Sequence, residues 1–411
     1  MEEMTIERLG LGGDGVAEGP IYAPRTLPGE RVRGTLDGQR LSNIKIVEAS
    51  PDRVSAPCRH FRSCGGCQLQ HASDDFVAHW KVELVRRALA AQNLETVFRP
   101  IATSPSRTRR RAGFAARRTK KGATVGFFAR GSDVNVEIPD CQLVTPALAG
   151  GVEVARALAA VGASRKSVLS VMVTDSPAGL DISVTDGKPL DAPMRADLAQ
   201  ISETHRFSRL AWNGETVALR APPEQHFEGI AVVPPAGAFL QATQHGTETL
   251  THAVQEIVGD ARHVTDLFAG CGTFALPLAR GAEVHAVEGD AAMLATLDHG
   301  WRHAAGLKKV TTEVRDLFRR PLMPDELARS EAVVLDPPRA GAGAQVAELA
   351  RAPVQRSVAY ISCNPVTFAR DARVLVNADF TLEWIQVVDQ FRWSAHVELV
   401  ARFTASHMRK A

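Results

Sequence analysis

The alternation of apolar and polar residues changes texture along the chain. In the first fifty residues, short alternating runs at 4–9, 15–17 and 31–36 are cut by Gly12-Gly13-Asp14-Gly15, Leu27-Pro28-Gly29-Glu30 and Asp37-Gly38. A period of two between such breakers predicts short β-strands. So many of them in so short a stretch predict a small OB-like β-barrel. Residues 79–89 switch to a helical period,. From 97 to about 233 the pattern is again mostly strand-like, as at 168–173 and 180–184, with one helix predicted over 146–160. Beyond Pro234-Pro235 helices alternate with apolar runs at 264–268, 283–288, 332–336 and 357–361. That alternation predicts a parallel α/β sheet, which binds its ligands at the carboxyl ends of its strands. The predicted layout is mixed α/β and β: a barrel over 1–52, a β-rich central domain over 53–235 and a Rossmann-like domain over 236–411.

A chain of 411 residues, 45% hydrophobic and 23% charged, has the composition of a soluble protein of two or three domains,. Its first residues lack the basic start and apolar core of a signal peptide, and no run reaches the ~18 apolar residues of a membrane span. A cytoplasmic location without membrane attachment is expected. The net charge of +2 does not by itself announce a nucleic-acid partner. The distribution does more. Between 107 and 121 stand Arg107, Arg109, Arg110, Arg111, Arg117, Arg118, Lys120 and Lys121, and no acidic residue occurs from 107 through 131. A hairpin of this composition suits an RNA phosphate track as well as a solvated face. Six cysteines do not suggest a disulfide scaffold, and Cys58, Cys64 and Cys67 crowd together,.

Asp266 closes one apolar strand and is followed by Gly270-Cys271-Gly272, where glycine lets a ligand approach the backbone,. The next strand ends at Glu288, placed to accept hydrogen bonds from ribose hydroxyls. The full G-x-G-x-x-G pyrophosphate fingerprint is missing, which favours S-adenosylmethionine over a dinucleotide. Asp336-Pro337-Pro338-Arg339 lacks the aromatic residue that follows Asp-Pro-Pro in methyltransferases acting on amines. Cys363 stands at the end of another apolar strand. Uracil C5 is a poor nucleophile until a thiolate adds to C6, and a base must later remove the C5 proton. Cys363 is the candidate nucleophile. Glu398 is the favoured base, and His396, two residues away and expected on the same strand face, the supporting group.

These motifs, in this order and over nearly the whole chain, resemble the RNA 5-methyluridine methyltransferase family. The resemblance implies a TRAM-like N-terminal barrel and a class I methyltransferase domain. It puts Gln241, Phe268, Thr273, Glu288, Asp316 and Asp336 at the methyl donor, Cys363 at the nucleophile and Glu398 at the base. Cys58, Cys64-Gly65-Gly66-Cys67 and the distant Cys141 resemble the family's iron–sulfur segment. Their spacing alone suits zinc equally well, and the resemblance implies a [4Fe–4S] cluster of structural role. Thr273 and Asp316 replace frequent asparagines, and Phe391-Arg392-Trp393-Ser394 departs from the usual Phe-Pro-x-Thr. The implied substrate is structured RNA, with 23S rRNA ahead of tRNA, and no obligate protein partner is evident. An RNA cytosine-C5 methyltransferase is a rival, but such enzymes generally carry a second working cysteine, and Asp336-Pro337-Pro338-Arg339 offers none. A non-catalytic RNA-binding assembly factor is the rival from another class.

Overall fold

The computed structural model describes residues 2–352 and 357–405. The N-terminal sheet has six strands in the order Glu2–Thr5, Arg31–Asp37, Arg40–Glu48, Ile21–Ala23, Gly15–Ala17 and Arg8–Leu9. Its two edge strands are consecutive in sequence, so one segment bent at Ile6-Glu7 serves both edges and the sheet curls round on itself. Ile6, Ala17, Ala23, Val32 and Leu41 fill the interior, which is consistent with the predicted barrel.

The central sheet has seven strands, from Asn135–Val136 at one edge to Glu215–Leu219 at the other. The basic hairpin lies within it as Arg111–Thr119 and Gly122–Phe128. The expected helix runs over Pro146–Gly162, with Thr145 capping it and a proline in its first turn,. A second helix, Ala192–His205, was not expected. It buries only Met194 and Leu198, too thin an apolar stripe to stand out in the sequence.

The catalytic sheet has eight strands. Its order is Val310–Val314, Glu283–Glu288, His263–Leu267, Ala332–Leu335, Ser357–Ser362, Leu399–Ala405, Phe380–Asp389 and Val97–Thr103. Only Leu399–Ala405 runs against the rest. The last strand in the order departs from the expected layout: Val97–Thr103 belongs to this sheet, although a boundary at 235/236 assigns it to the central domain. Helix Asp74–Ala90, N-capped by Ser73, likewise shares a core with Phe368, Leu375 and Phe403 of the catalytic part. The hairpin Gln225–Phe227 and Ile230–Val232 packs on the same domain through Phe227 and Val232. The catalytic body thus takes in residues on both sides of the central sheet, which is inserted between 103 and 225.

This topology gathers chemistry at one edge. Parallel strands bring residues 268, 288, 336 and 363 to their carboxyl ends. The reversed strand Leu399–Ala405 brings its preceding residue, Glu398, to that same end.

Candidate active site

The decisive geometry lies between two neighbouring strands. Ser362 pairs with Leu399 in the antiparallel ladder, so the register continued by one residue sets Cys363 opposite Glu398. Cys363 is half-buried, and Glu398 is 3% exposed. Burial and the charges of Glu398 and Asp336 push the Cys363 thiol up to about 11, while Arg339 draws it down. Burial and the Asp336 charge hold the Glu398 carboxyl well above the usual range.

A chain of side-chain amides joins the two acids. Gln390 donates from Nε2 to Glu398 Oε2 at 3.1 Å and to Gln241 Oε1 at 2.5 Å. Gln241 donates to Asp336 Oδ2 at 3.3 Å, and the Ala242 amide donates to Gln390 Oε1 at 2.7 Å. Both amide side chains are buried, so each polar atom is committed and the chain fixes the distance between Glu398 and Asp336.

His396 does not share the placement of Glu398. Residues 396–398 precede the strand, and His396 is exposed where Glu398 is buried. Its Nδ1 lies 2.6 Å from Arg339 Nη2. Guanidinium only donates, so Nδ1 accepts and the ring proton sits on Nε2. Although the residue is exposed as a whole, partial burial of its ring and the Arg339 charge lower its pKa and favour the neutral form. His396 can therefore donate toward the cavity from Nε2, and with Nδ1 already accepting from Arg339 it offers no free acceptor for a proton.

On the other side of the sheet edge stand three carboxylates. Glu288 accepts from the amides of Gly270, Gly289 and Asp290 at 3.1, 2.7 and 3.0 Å, which ties it to the glycine turn. The turn itself needs its glycine: a Cβ at Gly272, φ +93°, would lie 2.8 Å from Leu297 and 2.9 Å from Leu276. Phe268 adopts φ +63° and rests 5.5 Å from the ring of Phe318. Asp336 keeps some residue exposure, but its carboxyl lies deep, and burial and Glu288 raise it to about 7. Asp266 is wholly buried. Neither of its oxygens completes a hydrogen bond among the described residues, and the Ala275 amide offsets only part of the upward push from burial and Asp336. Buried acids that repel one another fit a cationic ligand, and the sulfonium and ammonium of S-adenosylmethionine meet that demand. Thr273 is half-buried beside the turn. Asp316 is exposed and accepts from the Phe318 amide at 3.0 Å.

Cys363 opens onto a cavity of about 810 Å³ that His396 and Arg339 also line. A cavity of about 900 Å³ between the barrel, helix Asp74–Ala90 and strand Val97–Thr103 holds none of these groups, so the chemistry selects the smaller one.

Residues 302–403 match the family model for tRNA (uracil-5-)-methyltransferase. An uncharacterized RNA methyltransferase of Brucella suis biovar 1 is 44% identical over 98% of this chain and 97% of its own length. The 23S rRNA (uracil(1939)-C(5))-methyltransferase RlmD of Halomonas elongata is 32% identical over 96% of this chain and 88% of its own. The chain belongs to the RNA uracil-C5 methyltransferase family. The fold agrees: the Pyrococcus abyssi tRNA (uracil-54, C5)-methyltransferase, solved with S-adenosyl-L-homocysteine, superposes with a TM-score of 0.77 at 22% identity, covering 98% of this chain and 99% of that one. As a member of that family this chain is an S-adenosylmethionine-dependent RNA methyltransferase. No described helix is long and apolar enough to cross a membrane.

Other expected sites of this methyltransferase are placed less simply. Cys58, Cys64, Cys67 and Cys141 are all half-buried. Cys64 and Cys67 are pushed up by burial and by the other thiols, Cys67 to about 12. The donors suit a cluster in kind, yet among the described residues no group of three or more Cys, His, Asp or Glu is arranged to hold a metal ion. The expected [4Fe–4S] centre and its zinc alternative are not shown among the described residues, and no step below runs through either. The segment does dock on the active-site loop, where the Gln68 and Leu69 amides donate to the Trp393 carbonyl at 2.8 and 2.9 Å.

The basic hairpin divides. Arg110 is buried and braces the segment around Gln241, donating to the Gln241 carbonyl, Gln225, Gln244 and Thr247. Half-buried Arg109 faces Cys67 and Cys141, and burial lowers its pKa. Arg111 donates to the Gly237 carbonyl at 2.9 Å. Arg109 and Arg110 precede the strand, which begins at Arg111. Their backbone is stitched between neighbouring segments, the Arg109 amide donating to the Leu143 carbonyl and the Arg110 amide to the Ala242 carbonyl, so Arg110 and Arg111 brace the catalytic body instead of presenting free cations to phosphate. Arg107 is exposed and bonds Gln142. Arg117 and Arg118 are half-buried, and Lys120 and Lys121 are fully exposed at the turn.

Sequence reasoning missed Gln390, Arg339 and Asp266 as working parts. Only Asp266 had a signal, as the acid ending the first strand before the glycine turn.

Proposed function

We propose that the protein methylates C5 of a uridine in structured RNA through a covalent bond between Cys363 Sγ and C6. Adding sulfur at C6 moves the C5=C6 electron pair toward O4 and gives an enolate. C5 then takes the methyl group. Glu398 removes the C5 proton, and the returning electron pair expels Sγ and restores the double bond. S-adenosylmethionine, when bound, supplies the electrophilic methyl group together with a positive charge. Positive charge beside Asp336 and Glu398 favours their ionised forms, and a buried carboxylate of raised pKa is a strong base once ionised. Arg339 favours the Cys363 thiolate, and His396 Nε2–H is free to donate to a carbonyl or phosphate oxygen. Gln241, Phe268, Thr273, Glu288, Asp316 and Asp336 would hold the methyl donor. The observation that carries the reading is the register opposing Cys363 and Glu398, with the Gln390–Gln241 chain running on to Asp336.

Ribosomal RNA of the large subunit is the proposed substrate, supported by the similarity to the Halomonas enzyme. RNA carrying 5-fluorouridine tests the chemistry, because fluorine at C5 blocks elimination. The wild-type protein and Cys271→Ala should form a denaturant-stable adduct, and Cys363→Ala should form none. Glu398→Gln should accumulate an adduct on ordinary uridine RNA, with turnover lower by roughly 10²–10⁴. An adduct in Cys363→Ala overturns the proposal. Mapping ribothymidine in 23S rRNA and tRNA from cells with and without the gene decides the substrate.

A further inference from the structure

The barrel supplies one wall of the cavity at Cys363. Arg8, Leu11 and Gly12, all from the N-terminal domain, line it together with Cys363 and His396 of the catalytic body. Leu11 is 72% exposed, stands between Gly10 and Gly12, and belongs to a turn closed by Gly10 N–H to the Asp14 carbonyl at 2.7 Å and Gly13 N–H to the Gly10 carbonyl at 2.9 Å. The turn is braced. Asp14 pairs with Arg130 at 2.6 Å, and a Cβ on Gly13, φ +81°, would already be in van der Waals contact with Gln68 and Leu69 at 3.4 Å. A large apolar side chain is thus held out in water by a fixed turn. Val366, 58% exposed in the first turn of helix Pro365–Asn377, lines the same cavity from the catalytic side. The walls also carry Arg8, Arg87, Arg130 and Arg339 and no Asp or Glu.

We propose that Leu11 is a wedge: it enters the RNA stack where the target base has left and holds that base out against Cys363, while Arg8 takes a flanking phosphate. This rests on the uracil-C5 reading above. A stacked base cannot reach Sγ without being turned out, and an inserted apolar side chain occupies the vacated place and slows its return. Arg130 and Arg87 are each paired with an acid, Asp14 and Glu83, while Arg8 and Arg339 have no acidic partner among the described residues, which leaves the wall net positive and suited to an anionic strand. The barrel is on this account part of the substrate site rather than a distant tether.

The test compares adduct formation on two 5-fluorouridine RNAs, one with the target stacked inside a folded stem-loop and one a short unstructured oligonucleotide. Leu11→Ala should slow the structured substrate on the order of tenfold, about 1.4 kcal/mol, and leave the oligonucleotide rate unchanged. Leu11→Met should restore most of the loss. Arg8→Ala should weaken binding to both RNAs and reduce the slope of log affinity against log salt by about one. Equal rates for Leu11→Ala and wild type on the structured RNA, or equal losses on both RNAs, overturn the wedge. Absence of any adduct with the wild-type protein overturns the underlying reaction as well, which separates the two failures.

Discussion

Cys363 in the ligand-free site is a protected thiol. Its pKa near 11 comes from burial and from Glu398 and Asp336, opposed by Arg339. Only the thiolate reacts with alkylating agents, so Cys363 alkylation should be slow at pH 8 and rise with pH until about 11. Removing the neighbouring cation in Arg339→Met should raise the pKa and slow the reaction. Glu398→Gln removes an anion and should speed it. Peptide-resolved mass spectrometry after timed iodoacetamide treatment reads all three rates. A shift of the same sign in both variants would contradict the electrostatic account. Cys363 and Glu398 were legible in the sequence because each sits at the end of an apolar run. Arg339 and Gln390 were not, because their roles come from contacts between segments far apart in the chain, and no local pattern encodes them.

Among the elements, the basic hairpin teaches most. Composition alone made its eight cations equivalent, yet the residues just before the strand are stitched to the Gln241 segment, the Arg110 amide to the Ala242 carbonyl and its guanidinium to the Gln241 carbonyl, whereas Lys120 and Lys121 stand exposed at the turn. Arg110→Ala strips a partner from the buried Gln225 and Thr247 and should destabilise the protein by about 2–4 kcal/mol, read as a lower denaturation midpoint. Lys120→Ala with Lys121→Ala should leave that midpoint unchanged and reduce the salt dependence of RNA binding. A normal midpoint in Arg110→Ala would show that its bonds are dispensable. The alternation of strands and helices beyond 236 was readable because parallel strands buried on both faces form continuous apolar runs. The helix Ala192–His205 was not, since its packing asks for only two buried side chains. The expectation that His396 and Glu398 share a strand face failed because the strand begins only at Leu399.

At the scale of the whole molecule, Lys81 ties segments 308 positions apart in the chain into one catalytic body. Its Nζ lies 2.6 Å from Asp389 and 3.1 Å from the Phe391 carbonyl, with the Lys81 side chain wholly buried. Burial lowers the Lys81 pKa, and Asp389 opposes the shift. The pair anchors helix Asp74–Ala90 to the loop that carries Gln390 and leads to Glu398. Lys81→Met strands Asp389 without its partner and should cost about 3–5 kcal/mol. Adding Asp389→Leu should recover much of that stability while leaving methylation slow, because the loop has lost its tether. Recovery of both stability and rate in the double variant would show the pair to be structural alone. Nothing in the sequence pointed to Lys81, since the residue it meets is 308 positions away.

The strand Val97–Thr103 has a consequence for biosynthesis. Its hydrogen-bonding partner, Phe380–Asp389, leaves the ribosome only after the entire central insertion and most of the catalytic sheet have been made. Until then the nascent chain carries an unpaired edge and the uncovered apolar face of helix Asp74–Ala90, both prone to mispairing. The barrel and the inserted sheet can complete themselves during translation, whereas the enzyme's own scaffold closes last, when Phe380–Asp389 reaches the early strand Val97–Thr103.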